Sequence, residues 1–217
     1  MYAGQPVRSS RSHPAFRWAW AVLAGVICWC GPVAALAATV QVLVQDASGA
    51  PLGGAVVFLD SAEAAKATKP LIGAEMGQQS KAFVPAVLVV TKGTAVSFPN
   101  RDTVRHHVYS FSQTKQFELK LYTGTPANPV VFDRSGVAVL GCNIHDDMVG
   151  WIVVVDTPYF GTSSASGQVR LDNVPAGQYV LRVWHPRLPT GAEARATALR
   201  VVDGTQATTV TLHGLQK

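Results

Sequence analysis

Gly136-Val137-Ala138-Val139-Leu140-Gly141-Cys142-Asn143-Ile144-His145-Asp146-Asp147-Met148-Val149-Gly150-Trp151-Ile152-Val153-Val154-Val155 is the stretch on which the fold turns. It holds two short runs of β-branched and apolar residues, Val137-Leu140 and Trp151-Val155, with Asn, Asp and Gly between them. Runs this short, bounded by turn formers, read as strands rather than helix. Cys142 ends the first run, His145 lies in the tight loop, and Met148 opens the second.

The same texture extends outward in both directions. Thr39-Val44, Ala55-Leu59, Ala86-Val90, Thr94-Phe98, His107-Phe111, Val130-Phe132, Val169-Leu171, Tyr179-Val183, Ala198-Val202 and Thr208-Leu212 are all short and rich in β-branched or aromatic residues. Gly, Pro, Asn and Asp cluster between them. Many short strands at this spacing predict an all-β sandwich architecture. Ala62-Ala67 is the one helix candidate, and its length and flanks argue against it.

The two ends of the chain belong together. Val40-Gln41-Val42-Leu43-Val44-Gln45-Asp46 and Ala55-Val56-Val57-Phe58-Leu59 flank a Gly/Pro turn, and Ser166 to Val183, with Pro175-Ala176-Gly177-Gln178-Tyr179 in its middle, reads as strand, turn, strand. These pieces resemble the opening and closing halves of a carboxypeptidase regulatory-like (transthyretin-like) β-sandwich. The resemblance implies a smaller, discontinuous sandwich over 39–60 and 162–217, with a second sandwich inserted at 61–161. Two sandwiches in tandem, or one fused sheet, are the alternatives.

Cys-x-x-His-x-x-Met places a soft thiolate, an imidazole and a thioether within seven residues. Thiolate and imidazoles with a weak thioether are the ligands of a mononuclear electron-transfer copper site. Zinc would have no use for the methionine, and haem attachment would need a second cysteine before the histidine. Taken singly, a histidine beside apolar residues is ordinarily a hydrogen-bonded group, and a methionine after a strand is ordinarily packing. Their joint occurrence beside a lone cysteine is what points to metal.

Upstream, Phe98-Pro99-Asn100-Arg101-Asp102-Thr103-Val104-Arg105-His106-His107-Val108 carries an aromatic, an asparagine two positions on, a polar turn and a histidine. Together with the Cys142–Met148 segment it resembles the paired ligand regions of the cupredoxins, above all the amicyanin and plastocyanin group. The phrase Gly-Cys-Asn-Ile-His-Asp-x-Met also resembles bacterial proteins loosely named methylamine-utilisation proteins. The resemblance covers about residues 74–156. It implies a Greek-key cupredoxin sandwich binding one copper ion, Cu(I)/Cu(II), through His106, Cys142, His145 and Met148. Cupredoxins usually carry Asn, Thr or Ser after the first histidine, whereas this chain has His107. Alternation groups His107 with Tyr109 and Phe111, a set that could face inward, so His107 is the alternative ligand in place of His106. A second departure is Asp146-Asp147 in the ligand loop, which makes the surroundings of His145 more polar. His185 and His213 have no such companions and read as structural or exposed.

The N-terminus has the form of a secretory signal. Arg8, Arg11 and Arg17 precede an apolar run from Trp18 to about Leu36 that ends in Ala35-Leu36-Ala37, a small-x-small exit. Cleavage after Ala37 or Ala38 is expected, by a Sec-type route, with an uncleaved anchor as the alternative reading. Removing residues 1–37 takes three of 18 basic residues and none of 13 acidic ones, so net charge falls from +5 to +2. The basicity therefore belongs mostly to the leader, and no Lys/Arg cluster points to nucleic acid. Cys28 and Cys30 leave with it, so Cys142 remains alone and cannot form an internal disulfide in an oxidising compartment.

These observations predict an exported, non-enzymatic one-electron carrier. It would be periplasmic or secreted, without an integral membrane segment after cleavage. Its partner would be a redox protein such as a c-type cytochrome or a dehydrogenase. The alternative is a periplasmic copper carrier or sensor that passes no electrons.

Overall fold

The structure is a computed structural model that describes residues 1–4 and 37–216. The expected leader thus lies almost wholly outside the described residues. Among the described residues no helix is long and apolar enough to cross a membrane.

The regular secondary structure of residues 37–216 is almost all strand. The chain opens with β1 (Ala37–Asp46) and β2 (Val56–Asp60), then a single short helix, α1 (Ala62–Ala67). It continues through β3 (Ala74–Glu75), β4 (Gly77–Gln79), β5 (Ala82–Val84), β6 (Val87–Thr91), β7 (Thr94–Ser97) and β8 (His106–Ser112). Next come β9 (Lys115–Tyr122), β10 (Val130–Phe132), β11 (Gly136–Cys142) and β12 (Gly150–Val155). The chain finishes with β13 (Phe160–Thr162), β14 (Gln168–Pro175), β15 (Gly177–Trp184), β16 (Arg195–Val201) and β17 (Thr205–Leu212).

Two sheets join the ends of the chain. One has the order β14-β1-β17 and the other β13-β2-β15-β16. β1 pairs antiparallel with β14 and parallel with β17, with Val42 opposite both Val169 and Thr208. Its alternation turns Ala38, Val40, Val42 and Val44 inward onto Leu59, Leu171, Leu181 and Leu212. Each buried aliphatic side chain of this kind contributes about 1.5–3 kcal/mol. Gly167 closes the sheet at φ 76°, where a Cβ would collide with the carbonyl of Val44.

The middle of the chain forms three further sheets: β6-β12-β11-β8-β9, β10-β7-β3 and the two-stranded β4-β5. The chain passes between the β6-β12-β11-β8-β9 and β10-β7-β3 sheets at β6–β7, β7–β8, β9–β10 and β10–β11, as in a β-sandwich. Met76, Phe98, Val108, Phe132, Leu140 and Ile152 are among the buried residues between the sheets. A third apolar cluster, including Val56, Phe58, Val153, Val155 and Trp184, packs β2 and β15 against β12.

Two local expectations change. Ala62–Ala67 is helical after all, because Ser61 caps it: its hydroxyl accepts from Ala64 N at 3.0 Å, and Glu63 stands in the first turn. β9 is a full edge strand that apolar counting passes over, since Lys115, Glu118 and Lys120 interrupt Phe117, Leu119 and Tyr122. Charges on an edge strand are what keep it from pairing with another chain.

Candidate metal centre

Strand alternation delivers the first two groups. β11 turns Ala138, Leu140 and Cys142 inward, and β8 turns His106, Val108 and Ser110 inward. Cys142 lies opposite Val108, so His106 stands one inward position further along the neighbouring strand. The chain then turns, with Met148 N donating to His145 O at 3.0 Å, and this turn brings His145 back over Cys142. Met148 precedes β12 by two residues and is buried in the same apolar cluster as Cys142.

The donor atoms of His106, Cys142 and His145 all lie within 4.8 Å of one another. Cys142 Sγ is 3.8 Å from Nδ1 of His106 and 3.8 Å from Nδ1 of His145. A first-row metal bound at about 2.1 Å to nitrogen and about 2.3 Å to sulfur, with roughly 120° between the bonds, separates N from S by about 3.8 Å. Both edges match that spacing. His106 and Cys142 are buried, while His145 is partly exposed.

His106 Nε2 lies 2.8 Å from Asp102 Oδ2. A carboxylate only accepts, so Nε2 carries the proton and Nδ1 presents its lone pair to Cys142 and His145. Lys81 N–H, helped by His106 and Ser80 N–H, holds the Asp102 carboxyl below the usual carboxylate range, against the opposing effect of burial. Asn100 shapes this loop: its Nδ2 donates to Val104 O (2.8 Å) and Tyr122 O (2.9 Å), and its Oδ1 accepts from Asp102 N at 2.9 Å. Tyr122 hydroxyl lies 2.8 Å from both Gln78 Oε1 and Phe98 O. Burial, with a further contribution from Cys142, pushes its pKa up to about 12.

His107 faces the other way. Its set with Tyr109 and Phe111 lies on the outer face of the sheet, with Phe111 77% exposed, rather than on the inward one. Asn143 Nδ2 approaches His107 Nδ1 at 3.5 Å, and Glu118 Oε1 stands 2.9 Å from Nε2 without an aligned hydrogen bond. His107 therefore stands between the ligand loop and β9, on the face of β8 opposite the donor cluster. Asp146 and Asp147 are exposed. His185 is buried directly after β15, with Nε2 donating to Gly53 O and Nδ1 accepting from Arg187 N, both at 3.1 Å, and His213 is exposed. The sequence does not mark Asp102 as a partner of His106; its place in the polar turn four residues upstream is the one signal for it.

No family model matches this chain, and no curated protein matches it. Among solved structures, it is similar to a reduced amicyanin variant at 22% identity, over 46% of this chain and 98% of that one, with a TM-score of 0.34. It is similar to a purple cupredoxin from Nitrosopumilus maritimus at 25% identity, over 38% and 99% of the two chains, with a TM-score of 0.32. A copper-containing nitrite reductase from Thermus scotoductus is similar at 21% identity over 52% of this chain and 28% of its own, with a TM-score of 0.36.

Proposed function

We propose that this chain is an exported mononuclear copper protein of cupredoxin type that serves as a one-electron carrier, with His106, Cys142, His145 and Met148 as ligands. The supporting observation is the convergence of one thiolate sulfur and two imidazole nitrogens at 3.8 Å edges, with a methionine buried in the same cluster. Copper bound by such a set supplies a Cu(I)/Cu(II) couple.

The residues around it divide the remaining work. Cys142 and His106 sit on strands of a packed sandwich, so their positions change little between oxidation states. Asp102 keeps the His106 proton on Nε2. Met148, Val108 and Phe98 exclude water from the inner side. His145, alone of the three donors in being partly exposed, offers the edge at which a redox partner such as a c-type cytochrome or a dehydrogenase would approach. Two ligands on buried strands favour electron transfer over metal delivery, which requires ligands that can open.

In the same reading, 39–60 with 162–217 is a discontinuous transthyretin-like sandwich into which 61–161 is inserted. The β1–β14, β1–β17 and β2–β15 pairings and the separate apolar clusters support it.

The test is metal analysis and a visible spectrum of the protein from its native host. One copper per chain and an intense thiolate-to-copper band are expected, with oxidised and reduced forms interconverting reversibly. Nitrite consumption by the reduced protein would move the reading from carrier to enzyme.

A further inference from the structure

The hairpin of β4 and β5 turns through Ser80 and Lys81, the two residues between paired Gln79 and Ala82. Both have positive φ, 54° and 57°. Two-residue turns of this kind ordinarily carry Asn-Gly or Gly-Gly, because other side chains are strained at positive φ. Here the strain is offset from outside the hairpin. Ser80 N donates to Asp102 Oδ1 at 2.6 Å, and Lys81 N donates to Oδ2 at 2.9 Å. Successive N–H groups turned onto one anion form a concave anion site. The same Oδ2 accepts from His106 Nε2. One carboxylate is thus gripped by a turn on one side and holds an imidazole on the other.

We propose that Asp102 is the positioning residue of the centre: gripped by the Ser80–Lys81 turn, it fixes the tautomer and ring orientation of His106, so the Gly77–Val84 hairpin sets the metal affinity of the site. This rests on the copper reading above. A ligand histidine whose second nitrogen donates to a carboxylate is more basic and is held in orientation, and losing such a partner typically costs about 10–100-fold in metal affinity. Asparagine at 102 would offer one acceptor oxygen to three donors. Glutamate would restore the charge but is too long for the turn.

The experiment uses the full chain with two readouts. In the metal-free protein, ring 15N shifts of His106 report the Nε2–H tautomer, and Asp102→Asn gives a mixture. In the copper-loaded protein, Asp102→Asn keeps the visible band and lowers Cu(II) affinity about 10–100-fold. The carboxylate favours Cu(II) over Cu(I), so the potential rises, by about 59 mV for each tenfold difference between the two affinities. Asp102→Glu recovers part of both. Ser80→Pro removes one donor and cannot adopt positive φ. It weakens Cu(II) affinity in the same direction and adds nothing on top of Asp102→Asn. Wild-type tautomer, affinity and potential in Asp102→Asn would overturn the role of Asp102 and leave the copper reading standing. A wild-type protein that takes up no copper would overturn both.

Discussion

Tyr109 and Gly141 are opposite partners across β8 and β11, and the tyrosine ring lies where a side chain at 141 would stand. A Cβ at Gly141 would come within 2.7 Å of Cζ and of Oη of Tyr109. Tyr109 is half-buried on the outer face of the sheet, so its ring must turn aside against His107 and Phe111, the two rings it packs on. Gly141→Ala should therefore destabilise the protein by about 1 kcal/mol, the low end of the usual cost of overpacking. Because Cys142 is the next residue, the variant should also shift the visible band of the copper-loaded protein. Urea unfolding checks the first effect. Combining Gly141→Ala with Tyr109→Ala should cost less than the sum of the two single changes, a coupling that a double-mutant cycle measures.

His185 supplies a pH dependence unconnected with metal. Burial, with the nearby Arg187 charge, lowers its pKa despite the hydrogen bond to Gly53 O. Its Nδ1 accepts from Arg187 N, so a proton there would set two donors against each other. The folded state binds this proton less readily than the unfolded state. Stability is therefore full above the unfolded value of about 6.5 and declines as pH falls from there toward the lowered folded value. Urea midpoints measured from pH 7.5 to 5 should show that decline. His185→Gln should flatten this part of the profile while lowering stability at neutral pH. An unchanged slope in the variant would assign the decline to other groups.

The proposed insertion of 61–161 bears on how the chain can be divided. The β3–β12 segment has its own apolar interior, yet its outer face carries Val87, Val137, Trp151 and Val153, which pack against Val56, Phe58 and Trp184. A fragment of residues 70–157 should fold and bind copper, with Trp151 fluorescence shifted to the red as its cover is lost. Its stability should be below that of the full chain, since each uncovered aliphatic group forfeits about 1.5–3 kcal/mol of burial. A disordered fragment beside a folded full chain would sink the insertion reading.

The sequence is legible where one local segment carries the information. Cys142, His145 and Met148 lie within seven residues, so chemistry and spacing can be read together. Period-2 alternation marks the inward faces of β1 and β14, where polar and apolar residues separate cleanly, whereas β11 and β12 are apolar throughout and read as strands by their length and β-branched content. The choice between His106 and His107 is not legible in this way, because neighbours on a strand face opposite sides and only the pairing with β11 sets which side is inward. β9 escapes notice because its charges lie on an exposed edge. The grip of Ser80 and Lys81 on Asp102 escapes for another reason: it joins residues 21 and 22 apart in sequence through backbone N–H groups, which leave no trace in residue type.

The donor atoms themselves carry the last prediction. Cys142→Ser should abolish the intense visible band, because sulfur-to-copper donation requires the short covalent Cu–S bond. The β-sheet signal should stay nearly intact, since strand packing folds the chain and metal adds stability only by binding the folded state. Met148→Leu should spare the colour and shift the potential, as expected of a weak axial ligand. His106→Ala should bleach the site by removing the nitrogen 3.8 Å from Cys142 Sγ. His107→Ala should only perturb it, through the lost contact with Asn143 beside Cys142. Spectra and metal content of these variants, measured side by side, provide the check. Colour surviving in Cys142→Ser would remove the central claim. Bleaching by His107→Ala, with His106→Ala still coloured, would instead move the ligand by one residue and require β8 to shift its register against β11.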